Sequence, residues 1–476
     1  MKTFEKRIWF VISSQNLGPH GGVGTFFSGF AAFCNKHNYK LDLILDTDVR
    51  DVMHGILKQW PNINYYCPEN ALGYGEHNKW CAFSKERTNT ARILNFQNSM
   101  RLAIQYHLPD VIISNAPESN YAILNDGWHY LIPTVFYTHL DHTVHWDMGH
   151  GFVPFHPSMT DSLQTTFLNP KIYVGTQTQK NVETIHKHMK YKNPNVICLP
   201  LLCEEEFWEV SEFNNHNKDG ILFIGRYEPR KNPELFLKTF GDFNRRRLAK
   251  NLPLVPARVL TNKTGEKKWH QAFEALEIPN LEYDIQHSLT GTPKLDFIKN
   301  NRVALITSKL ESFGYAALEA LHFMPTVLIS DFAWTLNFVE YGAILVDQAN
   351  VLNCLESTYE SQAIYYPKTN HYHSQADQSW RQFIESAKSD KKSNGGSRIY
   401  KEVESSNQLV CYRDFFKTQL NREIITHTDI EGAIATKNSF SYVQTASDTY
   451  IMKPNIPVVF VASDVAKPKD DDDLWS

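Results

Sequence analysis

The chain has 476 residues, 42% hydrophobic and 13% aromatic, which is enough apolar material for about two or three cored domains. Its 52 acidic residues against 48 Lys and Arg give a formal net charge of −4, so nothing in the overall charge draws it to polyanions. Any contact with nucleic acid must therefore use a local basic surface.

The seven cysteines are an odd number without a CxxC pair and read as reduced thiols. The opening MKTFEKRIWFVISS has no signal-peptide cleavage pattern, and no run approaches the roughly 20 apolar residues of a bilayer span. A cytoplasmic protein with no membrane span is expected.

In chain order, Arg7–Ser13 is a short run apolar on both faces, the mark of a buried parallel strand. A glycine-rich loop from Ser14 to Thr25 follows, and Phe26–His37 has helical periodicity. Strands are predicted at Leu41–Leu45, Val111–Ile113, Thr134–Tyr137, Ile172–Val174 and Val196–Leu199, with helical patterns at Ala91–Tyr106 and Gln179–Lys190. After the polar stretch Ser211–Gly220 a second series opens with Ile221–Ile224, then Ala257–Leu260, Val303–Ile306, Thr326–Ile329 and Ile344–Val346. Alternating β and α elements imply two doubly wound α/β domains with mostly parallel sheets. Beyond them, Trp380–Lys388 and Leu409–Leu420 look helical, Ser393–Ser397 reads as a flexible loop, and Asp470–Asp473 as a solvated tail.

Three motifs carry chemistry. Gly18, Gly21, Gly22 and Gly24, with Thr25 opening a helix, either cradle a phosphate or sugar or make a plain tight turn. The loop is neither GxGxxG nor a P-loop, since no Lys follows Gly24. Arg226 and Lys231 flank a turn between strand and helix and suit a diphosphate, one as a planar fork and the other as a point charge; Arg230 reads as a solvated basic turn. Glu311 and Glu319 lie eight residues apart across the turn Ser312-Phe313-Gly314. Glu319 falls inside the apolar helix Tyr315–His322, where a bare charge is costly unless something polar meets it. A hydroxyl-rich ligand, a sugar or a ribose, would satisfy both.

Taken in order, the glycine loop, GR-x4-K and E-x7-E resemble retaining glycosyltransferases of the GT-B fold, family GT4, over roughly residues 7–365. The resemblance implies two Rossmann-like domains facing a cleft, and a UDP-sugar donor with no further cofactor and no metal. It places donor contacts on Gly21, Gly22, Val23, Gly24, Arg226, Lys231, Ser312, Phe313, Gly314 and Glu319. Glu319 would take the ribose and Glu311 the sugar. The implied domains are 1–205 for the acceptor, 206–365 for the nucleotide sugar, and 366–476 as an extension packing partly back on the first.

Tyr137-Thr138-His139-Leu140-Asp141-His142, with Ile112–Pro117 before it, is similar to the DNA α-glucosyltransferases of T-even phages, apart from the inserted Leu140. That likeness implies double-stranded DNA carrying 5-hydroxymethylcytosine as acceptor. His139 or His142 would meet the donor sugar, and Asp141 would help activate the acceptor hydroxyl. Arg245–Arg247 and Lys263, Lys267 and Lys268 would meet phosphates, unless they are ordinary solvated helix faces. The His139-x2-His142-x2-His145 spacing matches no common zinc pattern. Asp46-Thr47-Asp48, a DxD that elsewhere binds metal, reads as loop acids in a two-domain chain. A surface glycan or lipid-linked acceptor, or a binding protein without catalysis, are the other readings.

Overall fold

The structure is a computed structural model. It describes residues 6–17, 22–47, 50–68, 88–126, 128–130, 132–139, 172–188, 195–208, 218–287, 289–311 and 313–387, and three strands at 423–425, 441–444 and 449–453.

Seven strands form the first sheet: β1 (Arg7–Val11), β2 (Lys40–Ile44), β3 (Ile63–Tyr66), β4 (Val111–Ser114), β5 (Thr134–Tyr137), β6 (Ile172–Thr176) and β7 (Val196–Cys198). Their order is β3-β2-β1-β4-β5-β6-β7 and every pair is parallel. Helices α1 (Gly22–Lys36), α2 (Arg50–Gln59), α3 (Thr88–Ile104), α4 (Pro117–Asp126) and α5 (Gln179–His188) belong to this domain. The apolar runs explain the sheet, because parallel strands covered on both faces need side chains that bury on both. In β1, Ile8, Trp9, Phe10 and Val11 are all fully buried.

The second sheet is β8 (Ile221–Ile224), β9 (Ala257–Thr261), β10 (Tyr283–His287), β11 (Val303–Ile306), β12 (Thr326–Ile329) and β13 (Ile344–Val346), in the order β10-β9-β8-β11-β12-β13, again all parallel. Its helices are α6 (Pro233–Ala249), α7 (Glu266–Glu274), α8 (Gly291–Lys299), α9 (Tyr315–Leu321) and α10 (Val351–Glu360). Strand order reverses between β1 and β4 in one sheet and between β8 and β11 in the other. In open sheets of this kind, ligands bind beyond the carboxyl ends of the strands at such a point.

Helix α11 (Thr369–Ser386) returns to the first domain. Its Trp380 is fully buried and lies 5.1 Å from Phe30, 5.8 Å from Phe26 and 5.6 Å from Tyr137 between ring centroids. Asp377 on the same helix meets Lys36 at 3.0 Å and His37 at 2.9 Å. A small antiparallel sheet of β14 (Glu423–Ile425), β15 (Ser441–Gln444) and β16 (Thr449–Lys453) places β15 beside α4.

The crossover between the domains, Leu199–Cys203, has no regular secondary structure, so its carbonyls need partners from elsewhere. Five aromatic side chains supply them in succession. Tyr137 Oη donates to Leu199 O (2.8 Å), Trp380 Nε1 to Pro200 O (2.8 Å), and Tyr372 Oη to Leu201 O (2.7 Å). Tyr315 Oη donates to Leu202 O (3.0 Å) and Trp208 Nε1 to Cys203 O (2.9 Å). Donors from both domains and from α11 therefore hold the segment that joins the domains.

Several elements differ from expectation. Strands β3 and β10 are additional; both are edge strands with mixed polar sequences, INYY and YDIQH, so no apolar run marks them. Helix α1 begins at Gly22, not Phe26, so the last glycines of the loop form its first turn. Helix α11 begins eleven residues before Trp380, its first half masked by polar residues on the exposed side. Leu409–Leu420, Ser393–Ser397 and Asp470–Asp473 lie outside the described residues. Among the described residues no helix is long and apolar enough to cross a membrane.

Candidate functional site

At the switch point of the second sheet, two loops are laced together. Thr307 Oγ1, just past β11, donates to Asn232 O (2.8 Å) and lies 3.2 Å from Lys231 O. Lys309 N donates to Arg230 O at 2.8 Å. Asn232 takes a left-handed conformation (φ 54°), which Asn tolerates, and Pro233 then starts α6. The turn into α9 depends on Gly314, at φ 102°. A Cβ there would sit 2.7 Å from the ring of Trp334, whose Nε1 donates to Ser308 O at 3.0 Å.

This lacing brings Lys231 and Glu311 into direct contact: Lys231 Nζ donates to Glu311 Oε1, and Arg230 Nη1 lies 3.8 Å from Glu311 Oε2. Glu311 is 7% exposed. Burial alone would raise its pKa, but Lys231 and Arg230 outweigh burial and hold the carboxyl below its usual range. Burial in turn lowers Lys231 from the ordinary lysine value. Arg230 is thus not a solvated turn residue, because it grips Glu228 (2.6 Å) and approaches Glu311. Arg226 is about half exposed, with Glu228 3.6 Å away.

Glu319 is 4% exposed and meets Lys294 of α8, whose Nζ donates to Glu319 Oε1 at 2.6 Å and to Glu204 Oε2 at 3.2 Å. The polar partner that the helix interior demands is therefore a lysine of this chain, and the carboxylate does not need a ligand to be tolerated. Burial raises the pKa of Glu319, and the charge of Glu204 adds to that against the pull of Lys294. Burial lowers Lys294, yet the two carboxylates outweigh it and keep the ammonium protonated well above the usual range.

From the first domain, the start of α1 meets the start of α9. Gly22 is so close to Tyr315 that a Cβ would lie 3.4 Å from Cδ2 of its ring. Gly24 is buried and Val23 half-buried. At the switch point of the first sheet, His139 Nε2 lies 3.1 Å from Asn115 Oδ1. Asn115 Nδ2 faces the carbonyls of Val11 (3.5 Å) and Ile113 (3.4 Å), which fixes the amide so that Oδ1 accepts. His139 Nε2 therefore carries the proton and Nδ1 keeps its lone pair. Burial pushes the His139 pKa down to about 3, so the ring is neutral at pH 7.

The ring of Phe313 is turned into the core, with centroids 5.5 Å from Tyr315 and Phe338 and 5.6 Å from Tyr372, so it has only backbone to offer a ligand. Asp46, in the loop that follows β2, is fully buried and bonded to Ser13 Oγ (3.0 Å), Ser14 N (2.7 Å) and Arg92 Nε (2.8 Å), and so braces the end of β1. Gly21, Ser312, Asp141, His142 and Asp48 lie outside the described residues. The Arg245–Arg247 cluster is largely spent on acids: Arg245 pairs with Asp242 (3.0 Å), Arg246 with Glu356 (2.9 Å) and Arg247 with Glu360. Lys263, Lys267 and Lys268 are exposed.

A buried carboxylate beside a lysine, a second buried carboxylate one turn into the following helix, and a half-exposed guanidinium thus lie around the switch point of the second sheet, with Gly22 of the first domain beside Tyr315 at the start of that helix and a neutral histidine at the switch point of the first sheet. The family model for glycosyl transferases group 1 matches residues 204–352, which include Arg226, Lys231, Lys294, Glu311 and Glu319. The chain carries a glycosyltransferase domain.

The two-domain architecture is the GT-B fold. The chain is similar to HepE of Anabaena in complex with UDP and glucose (TM-score 0.54, 14% identity, 80% of this chain and 100% of that one). It is similar as well to sucrose-phosphate synthase from Thermosynechococcus elongatus (TM-score 0.55, 12% identity, 80% and 100%). A variant of S. aureus TarM in complex with Fondaparinux, alpha-GlcNAc-glycerol and UDP aligns at TM-score 0.55 and 10% identity, over 84% and 100%. At these identities the likeness is one of fold. No curated protein matches the chain.

No motif in the sequence marks Glu204, Lys294 or Tyr315. Lys294 sits in GTPKLDFIK, which reads as an ordinary solvated helix. The one signal pointing to it is Glu319, whose place inside an apolar helix requires a cation or donor nearby.

Proposed function

We propose that the glycosyltransferase domain works as part of a retaining enzyme of the GT4 type, moving a sugar from a UDP-sugar to a hydroxyl. The single observation that carries this reading is the pairing of Glu311 with Lys231 at the switch point that also holds Glu319 and Arg226. Lys231 has three N–H donors and Glu311 engages one, so the ammonium remains able to meet a phosphate oxygen. Together with Arg226 it offsets the negative charge that builds as the diphosphate leaves, without needing a metal.

Glu311, kept ionised by its cations, accepts from hydroxyls of the sugar. Glu319 uses one oxygen on Lys294 and has the other for the ribose diol. The backbone of Gly22 and its neighbours lines the donor from the first domain, and His139 presents its unprotonated Nδ1. Closure between the domains excludes water, protecting the donor from hydrolysis.

For the acceptor we take 5-hydroxymethylcytosine in double-stranded DNA, with Asp141 helping to deprotonate its hydroxyl. The support is the sequence pattern around His139 and Asn115 and their contact at 3.1 Å. The ion pairs of Arg245–Arg247 shift any phosphate contacts toward Lys263, Lys267 and Lys268. Incubation with hydroxymethylated DNA and a panel of UDP-sugars, read by nucleoside mass spectrometry, tests this. A mass increase of one hexosyl or pentosyl unit on the modified cytosine is the expected result. No shift with any donor overturns the DNA acceptor, and sugar transfer to a glycan or lipid-linked acceptor in a parallel panel would put a surface-glycan enzyme in its place.

A further inference from the structure

Glu204 does not belong to either sheet; it follows directly on the crossover Leu199–Cys203, whose carbonyls are held by five aromatic donors. Lys294 Nζ reaches Glu204 and Glu319 at once, at 3.2 and 2.6 Å. All three side chains are at most 10% exposed, and the ammonium lies 5.5 Å from the ring centroid of Phe207. A lysine buried between two carboxylates is costly to assemble and leaves a net negative charge behind. Such a cluster has one geometric consequence: the carboxylate plane of Glu319 is fixed through Lys294 by the backbone that joins the domains.

From this geometry we infer that Lys294 is a positioning residue of the donor site, aiming the free oxygen of Glu319 at the ribose diol and fastening that carboxylate to the interdomain linker through Glu204. The inference rests on the ribose role given to Glu319 above. Lys294 itself touches no reacting atom. Loss of its ammonium frees Glu319 to rotate, and the ribose then meets a carboxylate in the wrong orientation. The selectivity for the 2′-hydroxyl suffers more than the affinity for the diphosphate, which is held by other residues.

The test compares UDP with 2′-deoxy-UDP by calorimetry on the full chain, for the wild type, Lys294→Met and Lys294→Arg. In the wild type UDP is expected to bind about tenfold more tightly than its deoxy analogue, the worth of one hydrogen bond to a charged group. Lys294→Met is expected to bring that ratio close to one, and Lys294→Arg to restore most of it. A Lys294→Met protein that keeps the wild-type ratio, even with weaker binding of both nucleotides, overturns the inference, because a merely structural lysine would behave that way. A wild type that binds UDP and its deoxy analogue equally would instead remove the ribose role of Glu319, and the inference with it. Should Lys294→Met fail to fold, the double variant Lys294→Gln/Glu204→Gln, which buries no unpaired acid at the linker, is read by the same ratio.

Discussion

Gly22 and Tyr315 touch across the two domains: a Cβ on the glycine would lie 3.4 Å from the tyrosine ring, and the tyrosine hydroxyl is itself tied to Leu202 O at 3.0 Å. The ring cannot swing aside without giving up its bond to the linker. Alanine at position 22 reaches only ordinary contact distance, whereas a longer side chain turned toward the ring displaces Tyr315 or parts the domains. Gly22→Ala is therefore expected to keep most activity, and Gly22→Leu to lower kcat/KM by about 100-fold through misplacement of the facing groups. Steady-state kinetics on both variants checks this. Equal activity of the two would mean that the contact is opened during turnover.

Gly314 is the turn on which Glu311 and Glu319 depend. At φ 102°, with a Cβ only 2.7 Å from Trp334, alanine is strained in backbone and in space at once. Gly314→Ala is expected to destabilise the fold by about 2–4 kcal/mol. Urea unfolding measures the loss, and a midpoint equal to that of the wild type would contradict the packing.

His322 and His373 form a buried pair that should make the protein acid-sensitive. His322 Nδ1 donates to Leu318 O at 2.6 Å, so its Nε2 accepts from His373 Nε2, and both rings are neutral. Burial lowers His322 to about 4 and His373 to about 2, the latter further depressed by its neighbour. An unfolded chain takes up protons below about pH 6.5 where the folded pair does not. Stability therefore falls as the pH drops from about 6.5 toward about 4, by up to roughly 1.4 kcal/mol per pH unit for each ring. His373→Gln should flatten that slope in unfolding curves taken at several pH values; parallel slopes in the two proteins would rule the pair out as its source.

Lys231 and Glu311 act as a unit. Lys231→Met leaves a buried carboxylate without its nearest cation and is expected to cost about 3–5 kcal/mol along with activity, whereas Lys231→Arg keeps the charge and part of both. Glu311 is held below the usual carboxylate range, so its contribution is present above that range and lost as the pH falls through the folded value. Unfolding of Lys231→Met should lack that acid-side loss. A stability profile superimposable on the wild type would separate the two residues.

What could be read before the structure was whatever required a continuous apolar run or a forced backbone. Val303–Ile306 and Ile221–Ile224 are buried strands and announce themselves as such, and each is followed by a motif because parallel strands present their carboxyl ends to ligands. The edge strands β3 (INYY) and β10 (YDIQH) carry no such run and stay hidden, whereas the edge strands β7 and β13 are apolar and legible. Glu319 was legible as a charge in need of a partner, but sequence could not choose between a ribose outside and Lys294 inside; the structure supplies the lysine. The aromatic clasp on Leu199–Cys203 draws on residues from Tyr137 to Trp380, and nothing in their spacing points to one another.

Arg226, Lys231, Glu311 and Glu319 are together proposed to hold a uridine diphosphate. Calorimetric titration of UDP into the wild type, Arg226→Ala and Glu319→Ala tests it most directly. Binding to the wild type, weakened about 10- to 100-fold in each variant, is the expected result. UDP affinity unchanged in Glu319→Ala and Arg226→Ala would contradict it, whatever the acceptor proves to be.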